Sequence, residues 1–167
     1  MKLVMGDITK METDAVVNAA SPDLRPTEGI CRAIFSAADT KKLTQACRRI
    51  GHCRIGHAVV TPSFGLPSKY IIHTAGAGWF SGRANEKDIF RDCYRHALQK
   101  AYAVGCRSIA VPLMFSGSMH IPRAEALLIV KSVIDDFEMS HPAMEIILVL
   151  WKESIYNLAL HIYGRSR

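Results

Sequence analysis

Long hydrophobic runs, paired cysteines and an excess of acidic residues are all missing from this sequence. Its apolar residues come in short runs, far below the roughly 18 to 20 that a membrane-spanning helix needs. The N-terminus enters a strand-like run at once, without the basic stretch, apolar core and cleavage site of a secretory signal. We therefore expect a soluble, cytoplasmic protein with no membrane partner.

The five cysteines are too few and too scattered for a disulfide framework. None belongs to a CxxC pair, and their number is odd, which fits a reducing compartment. The only zinc candidate combines Cys47, His52, Cys53 and His57, and its spacing matches no zinc finger or ribbon. We predict no metal ion and no cofactor.

The charge balance points weakly to anionic partners. The chain has 21 Lys and Arg against 15 Asp and Glu, a formal net charge of +6, which favours ligands such as nucleotides, nucleic acid or phosphorylated metabolites. The basic residues are scattered along the chain, however, and form no stripe interleaved with aromatics. A nucleic-acid partner therefore lacks the support that such a stripe would give.

Strand-like and helical patterns alternate along a chain of 167 residues that shows no repeat and no linker-like segment. Short runs, several of them rich in Val and Ile, predict strands at 2–5, 14–18, 58–61, 70–74, 108–113 and 145–151. Apolar residues at three- and four-residue spacing predict helices at 32–38, 41–50, 85–104 and after Pro122. We predict one α/β domain over residues 1–167, a monomer with a three-layer α/β/α sandwich around a mixed, largely parallel sheet.

Three loops that follow predicted strands are the candidates for a ligand site, because ligands of such sheets bind beyond the carboxyl ends of the strands. They are the loop at Gly6-Asp7, the loop from Asn18 to Gly29, and the loop from Phe115 to Met119. The second and third run into predicted helices. Free amides at helix starts bind anions, so two such starts suit a diphosphate.

Seven segments in this order resemble the macro domain family from residue 1 to about 160. They are GDIT, DAVVNAA, CRIGHAVVT, LPSKYIIHTAG, CYRHALQKA, SIAVPL and an SG before a proline-started helix. The resemblance implies a cleft at the carboxyl ends of the strands that holds ADP-ribose, free or attached to a protein or metabolite.

The resemblance also implies roles for individual residues. Asp7 matches the aspartate that accepts a hydrogen bond from the adenine amino group, and Ile8 adds backbone contacts to the same ring. Asn18 matches an asparagine that meets hydroxyls of the distal ribose, and Trp151 an aromatic that stacks on adenine. The family's phosphate loop, whose backbone amides wrap the phosphates, matches Ser116, Gly117, Ser118 and Met119. The helix start at Gly29 and Ile30 is expected, from its free amides, to add to this anion site.

The loop after the second strand departs from the pattern of the family's hydrolases. Ser21 replaces the second asparagine, Cys31 the aspartate that positions or deprotonates water, and Phe35 a histidine. Pro26-Thr27-Glu28 takes the place of glycines, which predicts a stiffer and more acidic loop. The usual catalytic Asn, Asp and His positions are therefore incomplete.

Candidate catalytic residues remain in this loop: Asn18, Ser21, Glu28 and Cys31. Glu28 or Asp23 is a substitute base if the loop folds it toward the ribose. Cys31 is either a thiolate activated by the helix start or a buried, inert core residue.

Three functions stay open from the sequence. The first is an enzyme that hydrolyses or processes ADP-ribosyl adducts, namely mono-ADP-ribosyl groups on proteins, O-acetyl-ADP-ribose or ADP-ribose 1″-phosphate. The second is a non-catalytic reader that binds ADP-ribose. The third is an RNA-binding or ribonuclease-regulating protein.

Overall fold

A six-stranded sheet forms the centre of the protein in the computed structural model, which describes residues 1–76, 84–114 and 121–165. Its strands lie in the order β1-β6-β5-β2-β4-β3, all neighbours being parallel except the antiparallel pair of β3 and β4. The strands are β1 (Lys2–Met5), β2 (Ala15–Ala20), β3 (Ala58–Pro62), β4 (Tyr70–Ala75), β5 (Ser108–Pro112) and β6 (Glu145–Leu150).

Helices cover both faces of this sheet and so create two separate hydrophobic cores. Helices α1 (Ile30–Ala37) and α2 (Thr40–Ile50) pack on one face. On the other face lie α3 (Ala84–Ala103), α4 (Arg123–Ser140) and α5 (Glu153–Arg165). Among the described residues no helix combines the length and apolar composition that crossing a membrane requires.

The central strands are mostly apolar because both of their faces are buried. Side chains of β2 alternate: Val16 and Ala20 contribute to the core beneath α1 and α2, whereas Val17 contributes to the opposite core. Asn18 lies between Val16 and Ala20 in this alternation, and it pairs in register with His73 of β4. A polar residue is thus placed in an apolar layer.

The structure confirms the predicted three-layer sandwich and its mixed, largely parallel sheet. Several boundaries differ by one or two residues from the sequence prediction. The helix predicted from residue 32 begins at Ile30, and the strand predicted at 14–18 spans Ala15–Ala20.

Helix α5 was not predicted at all. Its apolar residues Ile155, Leu158 and Ile162 recur at helical spacing and pack against the larger core. The same periodicity is readable in the sequence, so this signal was available there.

Candidate functional site

A cleft of about 580 Å³ opens at the carboxyl ends of four neighbouring strands. Its floor is made by residues at the ends of β1, β6, β5 and β2, among them Gly6, Leu150, Leu113 and Ala20. The cleft lies where β5 is flanked by strands that come from opposite ends of the chain, β2 and β6. Open α/β sheets bind ligands at such points, which confirms the position inferred from the loops.

Asp7 stands at the rim of the cleft directly after β1. One carboxylate oxygen, Oδ1, accepts hydrogen bonds from the backbone amide of Thr9 at 2.9 Å and from its hydroxyl at 2.7 Å. The carboxylate thereby caps the short 3-10 helix Ile8–Lys10. Asp7 and Ile8 both line the cleft, so the cap fixes the side chain while its second oxygen remains available to a ligand.

Trp151 follows the last residue of β6 and lines the same cleft. Its side chain is 73% exposed, an unusual position for the largest apolar side chain in a domain with two well-filled cores. Trp151 therefore belongs to neither core. An exposed indole beside a cleft offers a flat surface on which an aromatic ring can stack.

The N-terminus of α1 faces the cleft through Gly29 and Ile30. Gly29 is the N-cap residue, with φ +69° and ψ −128°, a conformation that disfavours any side chain. Because glycine has no side chain, no capping group accepts a hydrogen bond from the first amides of α1. These amides and the helix dipole favour a negatively charged group.

Ser21 and Glu28 also line the cleft, at the two ends of the loop between β2 and α1. Glu28 is exposed and lies 3.4 Å from Arg32 in an ion pair between Oε2 and Nη1. Since surface ion pairs of this kind are weak, the carboxylate is free to meet a ligand. Glu28 is the carboxylate that the altered loop brings to the cleft.

Asp23, the other proposed base, does not line the cleft. Its Oδ1 accepts a 2.6 Å hydrogen bond from the hydroxyl of Ser21, and its Oδ2 lies 3.4 Å from Arg25 Nε. The Ser21 hydrogen bond in particular lowers the pKa of the Asp23 carboxyl. Asp23 therefore organises the turn, while Ser21 contributes to the wall of the cleft.

This loop is anchored to the domain in its first half. Leu24 is buried at 4% exposure with φ +57°, and the carbonyl of Pro22 accepts a 2.8 Å hydrogen bond from the amide of Cys53. Residues 25 to 29 are exposed. Pro26-Thr27-Glu28, from which a stiffer and more acidic loop is predicted, lies in this exposed second half, and the stiffness remains a prediction.

Asn18 and Cys31 lie beneath the cleft and not on its surface. Asn18 is 0% and Cys31 1% exposed, and neither is among the lining residues. The Asn18 amide nitrogen lies 3.7 Å from Cys31 Sγ. The structure supports the inert reading of Cys31, because its thiol belongs to the core with Ile34 and Phe35. A thiol enclosed in this way is out of reach of a ligand on the cleft surface.

A buried chain of hydrogen bonds continues from Asn18 across the sheet. The Asn18 amide nitrogen lies 3.0 Å from His73 Nδ1, and His73 Nε2 lies 2.9 Å from the hydroxyl of Thr61. An amide nitrogen only donates, so Nδ1 accepts and Nε2 carries the ring proton. Burial lowers the pKa of His73 to about 4, and the imidazole is neutral at physiological pH.

The predicted phosphate loop of Ser116, Gly117, Ser118 and Met119 lies outside the described residues.

Two basic residues, Arg123 and Lys152, line the cleft, although the sequence did not indicate them as site residues. In the described ranges no group of three or more His, Cys, Asp or Glu side chains could hold a metal ion.

Comparison with known proteins yields one consistent family. A family model described as "Macro domain" matches residues 17–130. The chain is 35% identical to a Cronobacter sakazakii protein named O-acetyl-ADP-ribose deacetylase, over 99% of this chain and 94% of that protein. A protein of the same name from Escherichia fergusonii is 37% identical, with 97% and 96% covered.

Solved structures agree in fold. The Oceanobacillus iheyensis macrodomain with ADP superposes with a TM-score of 0.91 at 30% identity, covering 98% of this chain and 90% of that one. The Trypanosoma brucei macrodomain in complex with ADP-ribose gives a TM-score of 0.88 at 28% identity, covering 97% and 68%. Both structures are similar to this chain along almost its whole length.

Proposed function

This chain belongs to the macro domain family, and from that premise we propose that it binds ADP-ribose, or ADP-ribosyl groups on other molecules, in the cleft described above. The observation that carries the proposal is the convergence of three features on one cleft: the Asp7 carboxylate, the exposed Trp151 indole and the uncapped start of α1. The carboxylate and the indole suit adenine, and the helix start suits the diphosphate.

Adenine is assigned to the side of the cleft nearest β1. The amide of Gly6 donates to the carbonyl of Leu150 at 3.0 Å, which holds the segments of Asp7 and Trp151 side by side. A carboxylate oxygen accepts from the adenine amino group, while the indole stacks on the ring. Base stacking on aromatic residues is worth about 1 to 3 kcal/mol.

The diphosphate and the distal ribose are assigned to the side of the cleft nearest α1. Negative phosphates suit the uncapped amides that begin at Ile30. The exposed loop that carries Thr27 and Glu28 borders the same side, so it is placed to meet the ribose beyond the phosphates.

Calorimetric titration with ADP-ribose tests the proposal, and Asp7→Asn is the most informative variant. The asparagine keeps an oxygen for the Thr9 donors and thus the helix cap. It replaces the second carboxylate oxygen by an amide NH2 group, which cannot accept a hydrogen bond from adenine. We expect an affinity about tenfold weaker than that of the unaltered protein, the cost of one hydrogen bond to a charged group.

Asp39→Asn is the matched control for this experiment. Asp39 caps α2 by accepting from the amide of Lys42 at 3.1 Å and does not line the cleft. We expect this variant to bind like the unaltered protein. Absence of ADP-ribose binding by the unaltered protein would reject the proposed function, and equal binding by Asp7→Asn would remove Asp7 from the site.

Fluorescence provides a separate test of Trp151. The chain has two tryptophans, Trp79 and Trp151, and Trp79 lies outside the described residues. In a Trp79→Phe variant all indole emission comes from Trp151, and we expect saturating ADP-ribose to quench it because the ring stacks on adenine. Emission that stays constant while calorimetry reports binding would contradict the stacking.

Hydrolysis of an ADP-ribosyl ester is a second candidate function, favoured by the relatives named O-acetyl-ADP-ribose deacetylase and by Glu28 on the cleft surface. In this reaction the oxygen of water bonds to the acetyl carbon and the ester bond to the ribose oxygen breaks. Glu28 accepts the proton of water and returns it to the departing ribose oxygen. The products are acetate and ADP-ribose.

A further inference from the structure

The two walls of the cleft belong to opposite faces of the sheet and differ in their chemistry. The wall on the α1 side carries Ile8 and Ile30, which pack with the smaller core. The wall on the α4 and α5 side carries Ile155, which packs with the larger core, together with Arg123 and Lys152. Two cationic side chains therefore line the wall across from the start of α1.

The two cations come from different elements. Arg123 is the first residue of α4, and Lys152 immediately precedes α5. Both are exposed, and neither forms an ion pair with a carboxylate in the part of the chain that the structure describes. None of the described carboxylates therefore neutralises the charge of Arg123 or Lys152 through an ion pair.

The acidic residue in the first turn of α4 is engaged elsewhere. Glu125 of α4 pairs with Lys87 of α3 at 2.7 Å. On the opposite wall Glu28 pairs with Arg32, and Asp7 accepts two hydrogen bonds from Thr9. An anion that enters the cleft therefore meets two cations on one wall, and on the other the free amides at the start of α1 together with the Asp7 and Glu28 carboxylates.

We propose that Arg123 and Lys152 are specificity-determining residues whose charged side chains contact the phosphates of the bound nucleotide from the wall opposite α1. This inference rests on the proposed function, since it concerns the same ligand in the same cleft. Guanidinium and ammonium groups form strong, charge-assisted hydrogen bonds with phosphate oxygens. The cleft then selects diphosphates by side-chain charge in addition to backbone amides.

The test compares the unaltered protein with an Arg123→Gln/Lys152→Gln double variant in calorimetric titrations with ADP-ribose at low and high sodium chloride. Glutamine keeps the length and polarity of the side chains but removes both charges. We expect an affinity about tenfold weaker at low salt for the double variant. Its affinity should also depend less on salt, because fewer charged contacts are screened.

Arg107→Gln is the matched control. Arg107 is exposed at the start of β5, at the opposite end of the sheet from the cleft, so the same change there should leave both affinity and salt dependence unaltered. Thermal unfolding of each variant shows that the fold is kept, and adenosine, which lacks phosphate, should bind the double variant and the unaltered protein equally.

The outcomes separate the two proposals. If the unaltered protein binds no ADP-ribose, the proposed function fails. If it binds, and the folded double variant binds equally well with the same salt dependence, the phosphate contacts are overturned while the function stands. A loss of ADP-ribose affinity that is matched by the same loss for adenosine would also overturn them, because that change would not involve phosphate.

Discussion

Glu28→Gln is expected to slow the deacetylation of O-acetyl-ADP-ribose by about 100-fold or more, the range for loss of a general base, while ADP-ribose affinity changes little. Glutamine has nearly the shape of glutamate but cannot accept the proton of the attacking water. The measurement is single-turnover release of acetate from O-acetyl-ADP-ribose, with calorimetric binding of ADP-ribose on the same samples.

Two control variants make this result specific to Glu28. Asp23→Asn changes the loop carboxylate that is bonded to Ser21 and does not line the cleft, and it should release acetate at close to the unaltered rate. Cys31→Ala removes the buried thiol and should also retain activity. Activity that survives in Glu28→Gln and disappears in Cys31→Ala would assign the chemistry to the thiol and contradict our mechanism.

An unaltered protein that binds ADP-ribose and releases no acetate would mean that the chain is a reader for this ligand. Binding of ADP-ribose and release of acetate, measured on the same sample, therefore test the two proposals separately. RNA binding or regulation of a ribonuclease remains an untested prediction.

His73 is expected to make the protein less stable in mild acid. Its pKa of about 4 in the folded state lies below the ordinary value of 6.5, so the unfolded chain binds the proton more tightly. The contribution of the neutral imidazole to stability is fully present above pH 6.5 and is lost as the pH falls from 6.5 toward 4. The difference in pKa corresponds to about 3 kcal/mol in the free energy of unfolding.

His73→Gln isolates this contribution from that of the carboxylates that also titrate in acid. The glutamine side chain can donate to Thr61 and accept from Asn18, as the neutral imidazole does, but it does not titrate. Urea unfolding at several pH values should show that the free energy of unfolding of the unaltered protein falls more steeply between pH 6.5 and 4 than that of the variant. Parallel curves would show that His73 is protonated in the folded state as readily as in the unfolded one.

Much of the fold was readable from the sequence because the signals are local. Alternating strand and helix patterns predicted the layers, and β1 begins and ends at the predicted residues. The signal for α5 is local as well, since Ile155, Leu158 and Ile162 have the same periodicity as the predicted helices.

The candidate site was predicted in part. Asp7, Ile8, Gly29, Ile30 and Trp151 were each expected at a ligand site and all line the cleft. Their positions follow from local order along the chain, because each lies just after a strand or at a helix start. Their contacts with a ligand remain proposals.

The sequence by itself determined which residues end strands and begin helices, and through the order of its motifs it indicated the family. Only the tertiary structure decided which side chains reach the cleft surface. Asn18 lies beneath that surface because the pleat of β2 turns it toward His73, a partner 55 positions away whose register depends on strand pairing. Arg123 and Lys152 reach the cleft because α4 and α5 pack side by side on one face of the sheet, an arrangement set by long-range burial of apolar surface and not by local pattern.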